Sequence, residues 1–339
     1  MRILVVGSTG YLGSHVTAHL RAAEGVELLL GGRSPGADLP VDLATARTGP
    51  LAGALAALAP DAVVNCAGAV GGDPVTLAEV NARGPAVLCA ALREAAPGAR
   101  LVHLGSAAEY GPGRPGEPVT EEAPTRPVAP YGATKLAGTV AVTASGLDAV
   151  VLRVGNPVGP GAPAAGLPGG LARRLSGAGG GPGEVVRLGD LSAYRDFVDV
   201  RDVARAVVLA ATRRGAVPPV LNVGGGRAVR VRDLVHALAG AAGFTGRVEE
   251  AGGGSDRSSA VSWQCSDISA AHRALGWAPR FGLANSVAAL WASVAGAPAG
   301  DGAGTAAGRD AGAAAGREAG AAAGDGAGAA AGRDAGAVR

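Results

Sequence analysis

The stretch RILVVGSTGYLGSHV, residues 2–16, joins a short apolar run to a glycine-rich turn and then to a sequence with helical character. Gly7, Gly10 and Gly13 follow the apolar run directly. This order of strand, glycine turn and helix is the setting in which a glycine fingerprint indicates dinucleotide binding. Glycine lets the backbone turn tightly and approach a pyrophosphate, whose charge the helix N-terminus can meet. The stretch therefore predicts the opening of a nucleotide-binding α/β sheet.

The following residues alternate strands and helices through the first half of the chain. The segments RILVVG, VELLLGG, DAVVNCAG and RLVHLGS have strand character, and helical segments lie between them, the last from Arg83 to Ala96. Strands that alternate with helices of this length are typical of βαβ units and a parallel sheet. Because the strands are continuously apolar, the sheet should be covered on both faces. We therefore predict an α/β fold with a doubly wound parallel sheet.

The second half of the chain has a different organisation. After Asn156 the sequence becomes rich in Gly and Pro, which predicts loops, and residues 199–213 and 219–224 predict a helix and a strand that return to the sheet. From residue 297 onward an Ala/Gly-rich repeat has no large apolar residue before Val338, so we expect a disordered tail. The predicted domains are a nucleotide-binding domain over 1–155 and 196–225, a smaller α/β substrate lobe over 156–195 and 226–296, and a low-complexity tail over 297–339.

The composition excludes several classes of protein. The chain of 339 residues has 30 basic and 28 acidic side chains, so its net charge of +2 does not predict a nucleic-acid binder. Its apolar runs are far shorter than the roughly 18 residues that span a membrane, and its N-terminus has no signal-peptide core. Its 3 cysteines form no CxxC pair, which argues against a zinc site and a disulfide framework. We expect a cytoplasmic, small-molecule enzyme without metal, nucleic-acid or membrane partners.

Three side chains predict proton-transfer chemistry. Tyr131 precedes Lys135, the one lysine of the chain, by four residues on a predicted helix, so both project from the same face. An ammonium beside a phenol stabilises the phenolate and lowers the tyrosine pKa, so that the tyrosine can exchange a proton with a carbonyl or hydroxyl oxygen. Ser106 follows an apolar strand at the edge where such sheets bind ligands, and its hydroxyl could bind the reacting oxygen. The three residues predict a nicotinamide-dependent oxidoreductase.

The end of the second strand bears on the choice of cofactor. Gly31, Gly32 and Arg33 occupy the place where an NAD-selective enzyme commonly has an acid against the ribose hydroxyl. An arginine in that loop can instead bind a 2′-phosphate, which favours NADP(H) and leaves NAD(H) open. The predicted cofactor-binding residues are Gly7, Thr9, Gly10, Tyr11, Leu12, Gly13, Arg33, Asp42, Leu43, Ala67, Gly68, Tyr131 and Lys135.

Several further motifs occur in a fixed order along residues 1 to about 295: GSTGYLG, NCAG, GSAAEYG, PYGATK, RVGNPVGPG, YRDFVDVRDVARA, LNVGGG and SDISAAHRALGWAPR. In these motifs the chain resembles the extended short-chain dehydrogenase/reductases, the family of nucleotide-sugar epimerases, dehydratases and reductases. The resemblance implies a Rossmann domain, a small substrate lobe, a nucleoside-diphosphate sugar and a homodimer. It also implies roles for particular residues: Ser106, Tyr131 and Lys135 are catalytic, Asn81 supports the water relay of the lysine, and Ser106, Ala107, Asn156, Arg195 and Arg257 bind the substrate.

The motif after the predicted strand RLVHLGS bears on the reaction. The 4,6-dehydratases that resemble this chain have an Asp-Glu pair after the serine or threonine, whereas Ala107 and Ala108 stand here. The motifs look most like GDP-4-keto-6-deoxy-mannose reductases and related 4-ketoreductases of deoxysugar pathways. We therefore expect NADPH-dependent reduction of the C4 keto group of a nucleoside-diphosphate 4-keto-6-deoxyhexose. The alternatives are a nucleotide-sugar 4-epimerase with tightly bound NAD and a non-catalytic NAD(P)-sensing protein.

Overall fold

The structure, a computed structural model, describes residues 1–177, 181–252 and 261–296. Its strands are β1 (Arg2–Val6), β2 (Glu27–Gly32), β3 (Leu39–Pro40), β4 (Ala62–Asn65), β5 (Arg100–Ser106), β6 (Ala149–Val154), β7 (Asn156–Val158), β8 (Val185–Leu188), β9 (Tyr194–Asp199), β10 (Val220–Val223), β11 (Ala228–Arg230) and β12 (Arg247–Glu250). Its helices are α1 (Tyr11–Arg21), α2 (Thr48–Leu58), α3 (Pro74–Ala78), α4 (Gly84–Ala95), α5 (Pro130–Thr143), α6 (Leu167–Gly177), α7 (Val200–Thr212), α8 (Val231–Ala241), α9 (Ser269–Leu275) and α10 (Leu283–Ala295).

The central sheet has seven parallel strands in the order β10-β6-β5-β4-β1-β2-β3. The chain moves outward from β1 in both directions, so β1 and β4 are neighbours although they are far apart in sequence. Val6, the last residue of β1, pairs with Gly31 on one side and Asn65 on the other. Ligands of open parallel sheets bind in the crevice at this point of reversal. The predicted α/β class and doubly wound sheet are confirmed.

Helices cover both faces of the sheet, as the continuously apolar strands require. Helices α1 and α7 bury Val16, Leu20 and Val203 against one face, and α2 and α4 bury Leu55 and Leu88 against the other. Each burial of such a side chain contributes about 1.5–3 kcal/mol. The core therefore has two layers of side chains, one on each side of the strands.

The helix that was predicted from Arg83 to Ala96 begins earlier, at Pro74. Asp73 caps α3 by accepting hydrogen bonds from Val75 N and Thr76 N, and Pro74 has no N–H that would need a partner. A π-helical turn, Glu79–Arg83, then joins α3 to α4. π-Helical turns often occur at functional sites, and this one contains the buried Asn81.

A second group of elements builds a separate hydrophobic cluster from the later sequence. Strands β11, β9 and β7 form a small sheet, β8 and β12 form a parallel pair, and α6, α8 and α10 pack around Leu171, Leu234 and Leu290. Helix α6 lies in a segment for which the sequence predicted loops, because its Leu171 and Leu175 bury one side of a helix that Pro168 is suited to begin. Helix α9 packs into the main core instead.

The proposed division into a nucleotide-binding domain and a substrate lobe stays a prediction. The tail predicted for residues 297–339 lies outside the described residues. Over the ranges that the structure describes, no helix is both long enough and apolar enough to cross a membrane.

Candidate active site

The glycine turn after β1 brings three pieces of backbone into direct contact. Gly7 has a φ of +78°, and a Cβ built there would lie 2.7 Å from Ala67 N, at the end of β4. A Cβ on Gly13 would collide with the carbonyl oxygen of Gly7. Side chains are therefore excluded at both positions, and α1 begins immediately beside the carboxyl edge of the sheet.

The N-terminus of α1 fits the pyrophosphate of a dinucleotide. Gly10 is the N-cap residue and offers no side-chain cap, and the first turn of the helix contains no acid. The first N–H groups of the helix and the positive end of its dipole are thus oriented toward the crevice. Because Gly7 and Gly10 have no side chains of their own, a phosphate group can approach this backbone.

Three of the predicted cofactor-binding residues, Arg33, Asp42 and Leu43, lie after β2. Arg33 is exposed directly after β2. Asp38, which the sequence argument did not consider, accepts a hydrogen bond from Leu30 N at 2.8 Å, so its carboxylate is engaged by the strand. Asp42 is exposed and accepts from Ala44 N at 3.0 Å, whereas Leu43 is buried in the core.

A cavity of about 450 Å³ lies at the carboxyl edge of the sheet, beside the point of reversal. It brings together twelve of the predicted site residues: Gly10, Tyr11, Leu12, Ala67, Gly68, Asn81, Ser106, Ala107, Tyr131, Lys135, Asn156 and Arg195. Six other predicted site residues do not line the cavity: Gly7, Thr9, Gly13, Arg33, Asp42 and Leu43. Arg257 lies outside the described residues.

Two glycines of α5 let this helix approach the cavity closely. A Cβ on Gly132 would lie 2.5 Å from the carbonyl oxygen of Ala108, and a Cβ on Gly138 would collide with the carbonyl oxygen of Asn81. Helix α5 therefore rests on the backbone after β5 and on the π-helical turn. This contact places Tyr131 and Lys135 at the cavity.

Lys135 is buried behind the cavity, with 5% of its surface exposed. Its Nζ donates a hydrogen bond to the carbonyl oxygen of Leu104 at 2.5 Å. Burial lowers the pKa of Lys135 from 10.5 to about 8, while the negative charge of Glu109 acts to raise it. The ammonium therefore lies in a setting where small changes in nearby charge alter its protonation.

Ser106 ends β5 and caps the 3₁₀ turn Ala107–Glu109. Its Oγ accepts a hydrogen bond from Ala108 N at 3.2 Å, which leaves the hydroxyl hydrogen able to donate into the cavity. Tyr131 lines the same cavity from the first turn of α5. The structure thus brings Ser106, Tyr131 and Lys135 to one site.

Asn81 holds the loop after β4. Its Oδ1 accepts from Ala69 N at 2.9 Å, and its Nδ2 donates to Ala69 O at 2.8 Å and to Thr134 Oγ1 at 3.3 Å. Its amide therefore connects the loop that carries Ala67 and Gly68 to the residue before Lys135.

The opposite wall of the cavity comes from β7, β9 and the segment before α9. The Oδ1 atom of Asn156 is buried and has no hydrogen-bond partner within the described residues. Arg195 is buried, and one of its nitrogens donates to Tyr194 O at 2.8 Å. Gln264 donates to Ala107 O at 2.8 Å. Of these three residues, Gln264 was missed by the sequence argument.

The titratable side chains that line the cavity determine which proton transfers it can support. Its titratable lining residues are Tyr11, Cys66, Tyr131, Lys135 and Arg195, and no described residue that lines it carries a carboxylate. Burial raises the pKa of the Cys66 thiol to about 12, so this cysteine stays protonated. The cavity can donate and accept protons through tyrosine and lysine, and its described lining residues include neither Asp nor Glu.

A parallel sheet with a glycine turn, and a tyrosine and a lysine at its edge, are typical of Rossmann-type enzymes that use a nicotinamide cofactor. Residues 3–224 match the model of the NAD dependent epimerase/dehydratase family. The chain belongs to this family.

Individual relatives differ in the reaction they catalyse. The chain is 37% identical over 310 residues to dTDP-6-deoxy-L-talose 4-dehydrogenase (NAD(P)(+)) of Kitasatospora kifunensis, covering 88% of this chain and 96% of that protein. It is 29% identical to GDP-6-deoxy-D-mannose reductase of Pseudomonas aeruginosa, covering 70% and 79%. The crystal structure of the UDP-glucose 4-epimerase of Thermus thermophilus in complex with NAD superposes with a TM-score of 0.74 at 29% identity, covering 88% and 100%.

Proposed function

We propose that the protein reduces the C4 keto group of a nucleoside-diphosphate 4-keto-6-deoxyhexose with NADPH. The observation that carries this proposal is the cavity in which Ser106, Tyr131 and Lys135 meet without any carboxylate among its described lining residues. Dehydration of a sugar needs an acid for the leaving hydroxyl and a base for the neighbouring proton. Ala107 and Ala108 supply neither, whereas carbonyl reduction needs one proton donor only.

The chain's own residues account for the proton-transfer half of this reaction. When bound, NADPH supplies the hydride that reduces C4. Tyr131 donates the proton to the carbonyl oxygen, and Ser106 holds that oxygen by a hydrogen bond. Lys135 favours the phenolate that Tyr131 becomes, because a positive charge stabilises a neighbouring anion. The turn after β1 and the N-terminus of α1 hold the pyrophosphate of the cofactor.

The relatives support a reaction at C4. The dehydrogenase from Kitasatospora is named for oxidation at C4 of a 6-deoxyhexose, which is the reverse of the proposed reduction. The name of that relative makes thymidine diphosphate the first nucleotide to test.

A homodimer and a cytoplasmic location are also part of the proposal. Light scattering of the purified protein measures whether it is a dimer.

A direct assay tests the proposal. Purified protein is mixed with NADPH and a 4-keto-6-deoxy sugar nucleotide freshly generated by a 4,6-dehydratase, with dTDP-, GDP-, UDP- and CDP-linked sugars in separate reactions. We expect loss of the absorbance of NADPH with at least one of them, dependent on the keto sugar. A panel without turnover contradicts the proposal.

A 4-epimerase is the second candidate, because the same three side chains can serve oxidation and reduction in turn and the Thermus epimerase shares the fold. An epimerase keeps its cofactor through the cycle. Denaturing the purified protein and identifying the released nucleotide separates the two: stoichiometric NAD supports an epimerase, and cofactor exchange with net oxidation of NADPH supports a reductase.

The preference for NADPH is expected to depend on Arg33. Replacing Arg33 by alanine should raise the KM for NADPH about tenfold, because one charge-assisted contact to the 2′-phosphate is lost, and should leave the KM for NADH unchanged. Arg93→Ala removes another exposed arginine, from the last turn of α4, and serves as the control. Equal effects of Arg33→Ala on both cofactors would contradict this role.

A further inference from the structure

We propose that Glu109, held by Arg153, is a positioning residue: its carboxylate fixes the backbone of Ser106 and supplies the negative charge that faces Lys135. The part of this inference that concerns catalysis rests on the proposed function. The part that concerns the charge of Lys135 does not.

Both oxygens of the Glu109 carboxylate are engaged. Glu109 is fully buried. Its Oε1 accepts a hydrogen bond from Ser106 N at 2.7 Å, and its Oε2 accepts one from Arg153 Nε at 2.8 Å. Ser106 in turn caps the turn that leads to Glu109, so the two residues form a reciprocal capping box. A movement of Glu109 would therefore move the backbone that presents the Ser106 hydroxyl.

The space for this carboxylate is provided by Gly105. A Cβ on Gly105 would lie 2.7 Å from Glu109 Oε1 and 2.7 Å from Val151 Cγ1. Gly105, Ser106 and Glu109 consequently form one unit at the end of β5, in which the missing side chain makes room for the buried acid.

Arg153 is fixed from its far side. It is 5% exposed, and its guanidinium lies 4.5 Å from the centre of the Tyr110 ring. Tyr110 donates a hydrogen bond through its hydroxyl to Asn222 Oδ1 at 2.8 Å. A buried ion pair keeps its geometry only when further contacts compensate for the loss of water. Here Tyr110 provides such a contact to Arg153 of β6 and is itself held by Asn222 of β10, so residues of the sheet fix the partner of Glu109.

The same carboxylate opposes the effect of burial on Lys135. Lys135 Nζ donates a hydrogen bond to the carbonyl oxygen of Leu104, and Glu109 Oε1 accepts one from Ser106 N, so both charged groups lie at the same end of β5. Burial lowers the pKa of Lys135, and the negative charge of Glu109 acts to raise it. Burial, together with the positive charge of Lys135, holds the pKa of His103 on β5 well below 6.5, so this histidine stays neutral. Tyr131 lies on the same helix as Lys135. Because the Cys66 thiol is protonated, Glu109 is the permanent negative charge in this group.

A second ion pair, at the other end of β5 and β6, offers a control with a half-exposed carboxylate. Arg100 at the start of β5 pairs with Asp148 before β6 at 2.8 Å, and neither residue lines the cavity. Asp148→Asn removes a charge from the opposite end of the strand pair, as Glu109→Gln removes one from the cavity end. A general effect of weakened β5–β6 contacts should appear in both variants.

The chain contains one lysine, so its titration can be observed directly. In protein labelled with [¹³C,¹⁵N]lysine, the Cε resonance belongs to Lys135 alone and its shift against pH reports the charge. We expect the titration of Lys135 to move to lower pH in Glu109→Gln and to stay in place in Asp148→Asn. If Glu109→Gln titrates as the wild type does, the inference is overturned. This measurement needs neither substrate nor cofactor.

Activity tests the positioning role. With a substrate from the assay above, Glu109→Gln should lower kcat about 10- to 100-fold with little change in the KM for the sugar, and the alkaline limb of its pH profile should move to lower pH. An unchanged kcat and profile would overturn the inference. A wild type without turnover counts against the proposed function instead, and the lysine titration still decides the charge.

A second variant keeps the test decisive if Glu109→Gln does not fold. Glu109→Asp keeps the charge but retracts the carboxylate from Ser106 N. We expect its kcat to fall while its Lys135 titration stays near that of the wild type. An unchanged kcat in this variant overturns the positioning role.

Discussion

Lys135→Met is expected to melt at a higher temperature than the wild type at pH 7 and to lose turnover by about 10²-fold or more. Burial lowers the pKa of Lys135 from 10.5 to about 8, so the folded protein holds a buried charge that the unfolded chain carries freely in water. The shift corresponds to at most about 3 kcal/mol of lost stability. Removal of the hydrogen bond to Leu104 O offsets part of the gain, which leaves about 1–2 kcal/mol and a few degrees.

The pH dependence of the difference in melting temperature tests whether the buried charge of Lys135 causes it. Below pH 8 Lys135 is charged in both the folded and the unfolded protein, so the folded protein has the full loss of stability. Between about pH 8 and 10.5 Lys135 is neutral in the folded protein but still binds a proton in the unfolded chain, so the loss decreases as pH rises. Thermal melts at pH 7 and pH 10 should therefore show a smaller advantage of Lys135→Met at the higher pH. Lys135→Arg keeps the charge at both pH values and should melt below the wild type. A lower melting temperature of Lys135→Met at pH 7 contradicts the argument.

Tyr131→Phe should lower kcat by about 10³-fold and leave the affinity for NADP(H) within a factor of about two. The variant keeps the ring that lines the cavity and loses only the hydroxyl that we propose as the proton donor. Single-turnover mixing of enzyme, NADPH and keto sugar measures the chemical step, and a fluorescence titration measures cofactor binding.

Tyr194→Phe is the control for this experiment. Its hydroxyl accepts a hydrogen bond from Arg230 away from the cavity lining, so turnover should stay at the wild-type level. If Tyr131→Phe keeps its turnover, the role of Tyr131 as the proton donor is contradicted. If the wild type binds NADP(H) without turning over any sugar nucleotide, the chain is better described as a cofactor-sensing protein.

Features encoded within a few neighbouring residues could be predicted from the sequence. The glycine turn follows β1 directly, so Gly7 and Gly13 could be assigned a role before any contact was known. Tyr131 and Lys135 share a helix face by spacing alone. The order of strands and helices indicated the doubly wound sheet for the same reason, since each βαβ unit is local in sequence.

Features that depend on distant parts of the chain were missed or incomplete. Gln264 donates a hydrogen bond to Ala107, which lies 157 positions earlier in the sequence, and no local sequence pattern predicts such a contact. Helix α3 was missed for a different reason: its start signal, Asp73 followed by Pro74, is local but covers only five helical residues. Glu109 could have been found, since Ser106 and Glu109 have the spacing of a capping box, but its pairing with Arg153 requires the sheet.

The contacts of Gly132 and Gly138 have a consequence for how this protein tolerates mutation. A single base change converts a glycine codon into an alanine codon, so each of the 58 glycines of the chain is one such change away from alanine. At these two positions the added methyl group would meet main-chain oxygens that no rotamer change can move aside. The mutational vulnerability of the enzyme therefore extends from its reactive side chains to residues that have no side chain at all.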